Sequence, residues 1–125
     1  MTDAAAARRL ALCLPGVTDR SNDASVALYV GGKLLAWSWP QRVKARQPRV
    51  ARLDVLVLRC PLEAKEIMLE AEPDRFFTDP HYDGYPAILL RLEAVDEAEL
   101  HAILTSAWLS TAPPKLLAQV PTTPG

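Results

Sequence analysis

The most informative group of side chains that could take part in recognition or chemistry lies in one short segment, residues 76–86. This aromatic segment reads Phe-Phe-Thr-Asp-Pro-His-Tyr-Asp-Gly-Tyr-Pro, so it combines four aromatic rings, two carboxylates and one of the two histidines. Loops with this mixture tend to serve recognition or a special architecture, because a plain solvated linker needs neither aromatic nor ionisable groups. The candidate ligand-pocket residues are Phe77, Asp79, His81, Tyr82 and Tyr85.

Asp79, His81 and Asp83 could also act as acids, bases or metal ligands. In an extended segment alternate residues share one side, and a carboxylate beside a histidine suits a general base. A zinc site needs three or four ligands, but the only other histidine, His101, is remote on a predicted helix, and the chain has no Cys-x-x-Cys or His-Glu-x-x-His motif. The plainer interpretation is turn chemistry at Asp79-Pro80 and Asp83-Gly84, with the rings covering the end of the core. We therefore predict no catalytic residue and no metal site.

A second candidate site is a run of cations between Pro40 and Arg52 that contains no acid. Nucleic-acid binding needs such clustering, because each neutralised phosphate releases counterions and the contributions accumulate. The alternative is a solvated loop whose arginines pair with carboxylates elsewhere, and the overall net charge of −1 argues against a strong non-specific DNA binder. The candidate nucleic-acid-binding residues are Arg42, Lys44, Arg46, Arg49 and Arg52.

The charges are unevenly distributed along the chain. Residues 1–62 hold ten Lys/Arg against four Asp/Glu, giving +6, whereas residues 63–99 hold three against eleven, giving −8. The length of 125 residues, with 50% hydrophobic and 23% charged residues, predicts one soluble globular domain. No apolar run is long enough to cross a membrane, and the charges near the N-terminus follow the alanines, so we expect a cytoplasmic protein.

The cysteines and the nucleotide motifs also bear on function. Cys13 and Cys60 lie among apolar neighbours, which favours reduced, buried thiols over a disulfide. The chain has no Gly-x-Gly-x-x-Gly, no Walker Lys-Ser/Thr and no Gly-x-Ser-x-Gly motif, so no cofactor is predicted.

Hydrophobic spacing predicts an α+β domain over residues 1–120 in the order α-β-β-β-α-β-α-α, with an antiparallel sheet of four to five strands and helices on one face. Residues 121–125 are predicted to be a disordered tail. The Gly31-Gly32 pair predicts a tight hairpin that pairs Leu28 with Leu35 and Val26 with Trp37. The other predicted strands are a central one at 53–59 and one at 87–92. The predicted helices are one at 3–14 capped by Thr2, one after Pro61, one after an Asp96/Glu99 capping box, and a short one at 115–120. In the helix after Pro61, the residues predicted to face the core are Ala64, Ile67, Met68 and Ala71.

Several pieces of the chain occur in a familiar order. They are Leu14-Pro15-Gly16-Val17, Tyr29-Val30-Gly31-Gly32-Lys33 with Leu35-Ala36-Trp37, the aromatic segment, the stretch from Arg91-Leu92 to Ala107-Trp108, and the ending Ala112-Pro113-Pro114-Lys115-Leu116. Together they resemble the MmcQ/YjbR-like family of small bacterial proteins, over about residues 8–120. The resemblance implies a compact α+β fold comparable in shape to a type III secretion chaperone or to CyaY. Family members are commonly labelled DNA-binding, through a proposed double-wing arrangement, and no family motif assigns catalytic residues.

Three hypotheses remain open from the sequence. The first is a non-enzymatic binding protein that contacts DNA through the five cations. The second is a protein- or peptide-binding module, or a dimer, that uses an apolar surface. The third is a small-molecule binder or enzyme that uses Asp79, His81, Tyr82 and Tyr85. None of them requires a membrane or a metal.

Overall fold

The computed structural model describes residues 1–42 and 44–119, and this part of the chain is built on a six-stranded antiparallel sheet. The strand order across the sheet is β1-β2-β3-β4-β6-β5. The strands are β1 (Val17–Asp19), β2 (Ala27–Val30), β3 (Lys33–Gln41), β4 (Val50–Arg59), β5 (Phe76–Phe77) and β6 (Ala87–Arg91). The helices are α1 (Ala4–Ala11), α2 (Leu62–Ala71), α3 (Glu97–Thr111) and α4 (Pro114–Leu117), with two 3-10 turns at Pro80–Tyr82 and Leu92–Ala94.

The α+β class and the order of the long elements are confirmed, and the sheet has two short edge strands, β1 and β5, beyond the predicted ones. The predicted tail at 121–125 lies outside the described residues. No helix of the described residues combines the length and the apolar character needed to span a bilayer.

The main core lies between one face of the sheet and helices α1, α2 and α3. The predicted stripe of α3 is confirmed, since Leu100, Leu104, Ala107 and Trp108 are buried there. The Asp96/Glu99 capping box is also present, with both of its hydrogen bonds. Trp108 is fully buried, and its indole N–H donates to the Pro15 carbonyl at 2.8 Å.

The opposite face of the sheet, which we call the second face, carries a smaller apolar cluster. Val55 and Val57 of β4 and Ala87 and Leu89 of β6 are buried there beneath Tyr82. Because Leu56 and Leu58 point into the main core, β4 is buried on both sides over residues 55–58, as its uninterrupted apolar run predicts. Half-buried rings of Trp37, Trp39 and Phe77 surround the cluster.

Two predictions about the first half of the chain are wrong in detail. The side chain of Asp3, and not that of Thr2, caps α1 by accepting from the Ala6 amide at 2.8 Å. Thr2 is instead buried and donates its hydroxyl to the Leu92 carbonyl. The hairpin turn is at Gly31-Gly32 as expected, but an irregularity shifts the register, so Leu28 lies opposite Ala36 and Trp37 opposite Ala27.

The buried face of α2 and the location of Cys13 also differ from the predictions. Ile67 is 67% exposed, whereas Lys65 is buried on the side of α2 that carries Met68. The helix is thus rotated relative to its predicted orientation, because Lys65 finds hydrogen-bond acceptors that a helical wheel does not show. Both cysteines are free, and Cys60 is buried, but Cys13 is exposed.

The hairpin glycines offer a matched test of how the C-terminal prolines dock. Both have positive φ, 57° at Gly31 and 81° at Gly32, so an alanine at either position costs about 1 kcal/mol of backbone strain. A Cβ at Gly31 would also lie 2.7 Å from Pro113, while the space at Gly32 is open. We expect Gly31→Ala to lower the free energy of unfolding by roughly 1–3 kcal/mol more than Gly32→Ala, measured by urea denaturation. Equal losses would show that Pro113 does not pack on this turn.

Candidate functional site

The aromatic segment is attached to the second face by hydrogen bonds from two tryptophans of β3. The indole N–H of Trp37 donates to the Tyr82 hydroxyl at 2.9 Å, and that of Trp39 donates to the Asp79 carboxylate at 2.7 Å. The other Asp79 oxygen accepts from the Tyr82 amide and so caps the 3-10 turn. The turn interpretation of Asp79 is thus visible in the structure, and the polar atoms of Asp79 and Tyr82 are already engaged within the protein.

A buried lysine of α2 holds the other end of the same segment. Lys65 is 5% exposed, and its ammonium group donates to the carbonyls of Tyr82 at 2.6 Å and Tyr85 at 3.0 Å. It forms no ion pair with a carboxylate in the described part of the chain. Sequence reasoning missed this residue, although Lys65, Met68 and Leu69 have the i, i+3, i+4 spacing of one helical face.

The five predicted pocket residues therefore lie together, but they differ in exposure. Phe77 and Tyr82 pack inward, whereas His81 and Tyr85 are exposed and pack edge-on against the Tyr82 ring, at centroid distances of 4.7 and 5.8 Å. Burial raises the pKa of the Tyr82 phenol, and the hydrogen bond from Trp37 opposes this effect. Their use as a ligand pocket stays a prediction.

Four of the five cations of the second candidate set lie on the connector between β3 and β4, residues 42–49, which we call the basic connector. Arg42, Lys44, Arg46 and Arg49 are all exposed. Arg49 donates to the Pro40 carbonyl at 3.0 Å and lies 3.3 Å from the Nδ1 atom of His81. Among the described residues none of these four cations forms an ion pair with a carboxylate.

Arg52, the fifth cation, has a different environment. It donates to both carboxylate oxygens of Asp54, at 2.9 and 2.7 Å, and to the Gln41 side chain. The hydrogen bonds from Arg52 lower the pKa of the Asp54 carboxyl, and those to Asp54 raise the pKa of Arg52. Its charge is locally neutralised, so it contributes less to an anion-binding surface than the other four.

The acidic second half of the chain pairs away from the basic connector. Arg75 forms ion pairs with Glu72 and Glu99, and Arg9 pairs with Glu97. Within residues 1–42 and 44–119, no ion pair joins these acids to the basic connector, so the alternative in which they neutralise it has no support. The aromatic segment and the basic connector instead touch each other, at His81 and Arg49.

Two other features bear on the open hypotheses. No three His, Cys, Asp or Glu side chains of the described residues come together as a metal site would require. An apolar groove of about 290 Å³ lies between α2 and α3, lined by Cys60, Ala64, Met68 and Ile103 among others. The protein-binding hypothesis, for which this groove is the natural surface, stays a prediction.

Comparison with known proteins identifies relatives of this chain. A family model described as YjbR matches residues 12–110. The uncharacterised proteins Rv2570 of Mycobacterium tuberculosis and Mb2600 of Mycobacterium bovis are each 40% identical over 96 residues, which cover 70% of this chain and 74% of theirs. The crystal structure of Deinococcus radiodurans protein DR2400, with the domain DUF419, has a TM-score of 0.59 at 15% identity, covering 90% of this chain and 83% of that chain. This likeness shows the fold alone, and the comparison with CyaY stays a prediction.

The role of Lys65 can be tested by replacing it with a side chain of similar length. Lys65→Met removes the donor for two carbonyls, and we expect a loss of about 1–3 kcal/mol in the free energy of unfolding. Amide exchange near residues 82–87 should become faster, because the segment loses its attachment to α2. Lys33→Met, at an exposed position, is the control. Unchanged stability and exchange in the Lys65 variant would contradict the assigned role.

The Tyr82 phenol predicts a specific dependence of stability on pH. Because burial raises its pKa, the folded state binds this proton more tightly than the unfolded chain, in which tyrosine titrates near pH 10.0. The contribution is complete below that value and is lost as the pH rises through the folded pKa. The urea midpoints of wild type and Tyr82→Phe should therefore converge as the pH rises above about 10. Burial also raises the pKa of the Cys60 thiol, but this thiol is present in both proteins and does not change the difference between them. A constant difference between them at all alkaline pH values would refute this assignment.

Proposed function

Because this chain belongs to the YjbR family, whose mycobacterial members named above are uncharacterised, we propose a function from its geometry: a non-enzymatic protein that binds nucleic acid, DNA in the first instance, through the basic connector. The observation that carries this proposal is the exposure of Arg42, Lys44, Arg46 and Arg49 together on one connector. Within residues 1–42 and 44–119, Arg49 is the one member of this set whose side chain makes hydrogen bonds, with the Pro40 carbonyl and with His81.

The physical basis is the release of counterions from the phosphate backbone. Each phosphate that a lysine or arginine neutralises frees part of the condensed ion atmosphere, so several cations on one connector act together. Arginine also presents a planar fork of donors that suits phosphate oxygens. Because the nearby carboxylate of Asp54 is held by Arg52, it repels an approaching phosphate less than a free carboxylate would.

Binding without catalysis is supported by the state of the groups best suited to acid–base chemistry. The Asp79 carboxylate accepts from Trp39 and from the Tyr82 amide, and the Tyr82 hydroxyl accepts from Trp37. Groups with such partners hold the aromatic segment in place. His81 is exposed beside Arg49, where it adds a further hydrogen-bonding group to a phosphate-binding surface.

The test is the salt dependence of binding to a fluorescent duplex of about 20 base pairs, followed by anisotropy. Four phosphate contacts predict a slope of log affinity against log salt of about −3 to −4. Arg42→Ala, Lys44→Ala and Arg49→Ala should each reduce the slope by about one. Arg46 has a φ of 69°, so Arg46→Gly is the suitable variant, because glycine removes the charge and adopts this backbone conformation without strain.

Lys33→Ala is the matched control for these variants. Lys33 is exposed at the opposite end of β3, so its removal changes the net charge equally but leaves the basic connector intact. No binding of the duplex or of its separated strands, at low salt and roughly tens of micromolar protein, would refute the proposal. An equal loss of affinity in the Lys33→Ala and Arg42→Ala variants would also refute it, because general charge attraction would then explain the binding without the basic connector.

A further inference from the structure

A cleft of about 560 Å³ opens on the second face close to the basic connector. The cleft lies beside the connector, because two of its lining residues, Trp39 and Arg52, lie on the strands that the connector joins. The cleft combines two arginines, two aromatic rings and two carboxylates. The side chains that carry its chemistry are Trp39, Arg52, Asp54, Phe77, Arg91 and Glu93.

The arginines and aromatic rings of the cleft form a chain of contacts, with each arginine over one ring and the two rings edge to face. The guanidinium carbon of Arg91 lies 4.2 Å from the Phe77 ring centroid. Phe77 meets the Trp39 ring edge-on at 5.3 Å, and the guanidinium of Arg52 lies 5.7 Å from the Trp39 ring. A planar cation supported from below by an aromatic ring is held flat, which is the arrangement that a second planar group needs for stacking.

Among the arginines of the cleft, Arg91 has more hydrogen-bonding capacity left for a ligand than Arg52. Arg91 is exposed, its side chain donates to the Pro73 carbonyl at 3.3 Å, and it forms no ion pair among the described residues. Arg52, by contrast, is neutralised by Asp54. A ligand in the cleft therefore meets one free guanidinium face at Arg91.

Glu93 supplies an acceptor in the same cleft. It lies two residues beyond Arg91, is exposed, and makes no ion pair within the described part of the chain. Carboxylates in nucleic-acid sites accept from base amino groups, such as N4 of cytosine. On the same edge, thymine has one N–H group between two carbonyl oxygens. A carboxylate is repelled by these oxygens, so it accepts from thymine less well than from cytosine.

From these observations we propose that the cleft holds one unpaired nucleobase, stacked on the Arg91 guanidinium with its amino group donating to Glu93. This inference rests on the proposed function, since the basic connector would hold the phosphates that flank the base. It narrows the ligand to single-stranded nucleic acid with a preference for cytosine over thymine. A paired base cannot enter the cleft in this way, because its neighbours in the duplex cover both of its faces.

The experiment compares labelled oligo-dC, oligo-dT and a mixed duplex, each of about 12 nucleotides per strand, at neutral pH and low salt. Wild type should bind oligo-dC about five- to tenfold more tightly than oligo-dT. Arg91→Ala should weaken oligo-dC binding about tenfold. Arg91→Lys retains the charge but lacks the planar group, so it should lose most of the same affinity.

Glu93→Gln separates base recognition from charge. It should raise the affinity for both oligonucleotides slightly and abolish the preference for oligo-dC. Glu66→Gln, at an exposed position of α2, makes the same charge change away from the cleft and should keep the preference. Thermal unfolding followed by circular dichroism checks that each variant is folded. If Arg91→Ala does not fold, the Arg91→Lys and Glu93→Gln variants decide whether the cleft binds a base.

The remaining outcomes distinguish this inference from the proposed function. Equal affinity for oligo-dC and oligo-dT, or tighter binding of the duplex, overturns the base-binding cleft and leaves the basic connector as a phosphate-binding surface. Wild-type affinity in Arg91→Lys overturns the stacking arrangement. Failure to bind any of the three nucleic acids overturns both proposals together.

Discussion

The arrangement of the second face depends on two indole N–H groups and one buried ammonium group. Trp37 and Trp39 donate to Tyr82 and Asp79, and Lys65 donates to the Tyr82 and Tyr85 carbonyls. An unpaired donor or acceptor would be costly in this partly buried region, so these bonds fix where the aromatic segment lies. The segment in turn covers Val57 and Leu89, which would otherwise face solvent.

This constraint also links the two candidate surfaces. Once Asp79 is held by Trp39, the following residues place His81 beside Arg49 of the basic connector. The Trp39 ring also meets Phe77 edge-on and lies near the Arg52 guanidinium, and all three side chains line the cleft. The proposed phosphate-binding and base-binding surfaces are neighbours because the same tryptophan contributes to both.

Sequence patterns predicted the parts of this structure that have a long period or a strong local signal. The α3 stripe, the capping box, the Gly31-Gly32 turn and the doubly buried β4 are of this kind. The edge strand β5 has two residues, too few for any alternation to show. The burial of Lys65 depends on acceptor carbonyls that lie some 20 positions further along the chain. The shift of register within the first hairpin accompanies the burial of two consecutive residues, Leu35 and Ala36, in the main core. Such features arise from tertiary contacts and have no local signature.

The candidate site follows the same division. The cations of the basic connector were identifiable because they cluster in sequence. The cleft was not identifiable, because Trp39, Phe77 and Arg91 lie far apart in sequence, on β3, β5 and β6, and come together only in the folded sheet. Likewise, the sequence left open whether the acidic half would neutralise the connector; in the described residues those acids form ion pairs with Arg9 and Arg75.

The central claim is that the basic connector meets the ligand directly, and side-chain NMR tests it at the level of single residues. Adding oligonucleotide should shift the Nε–H signals of Arg42, Arg46 and Arg49 and the indole signal of Trp39. The Nε–H signal of Arg8, which is bound to Asp19 away from this surface, should stay unchanged. Shifts spread equally over all arginines, or confined to those outside residues 42–52, would contradict the account.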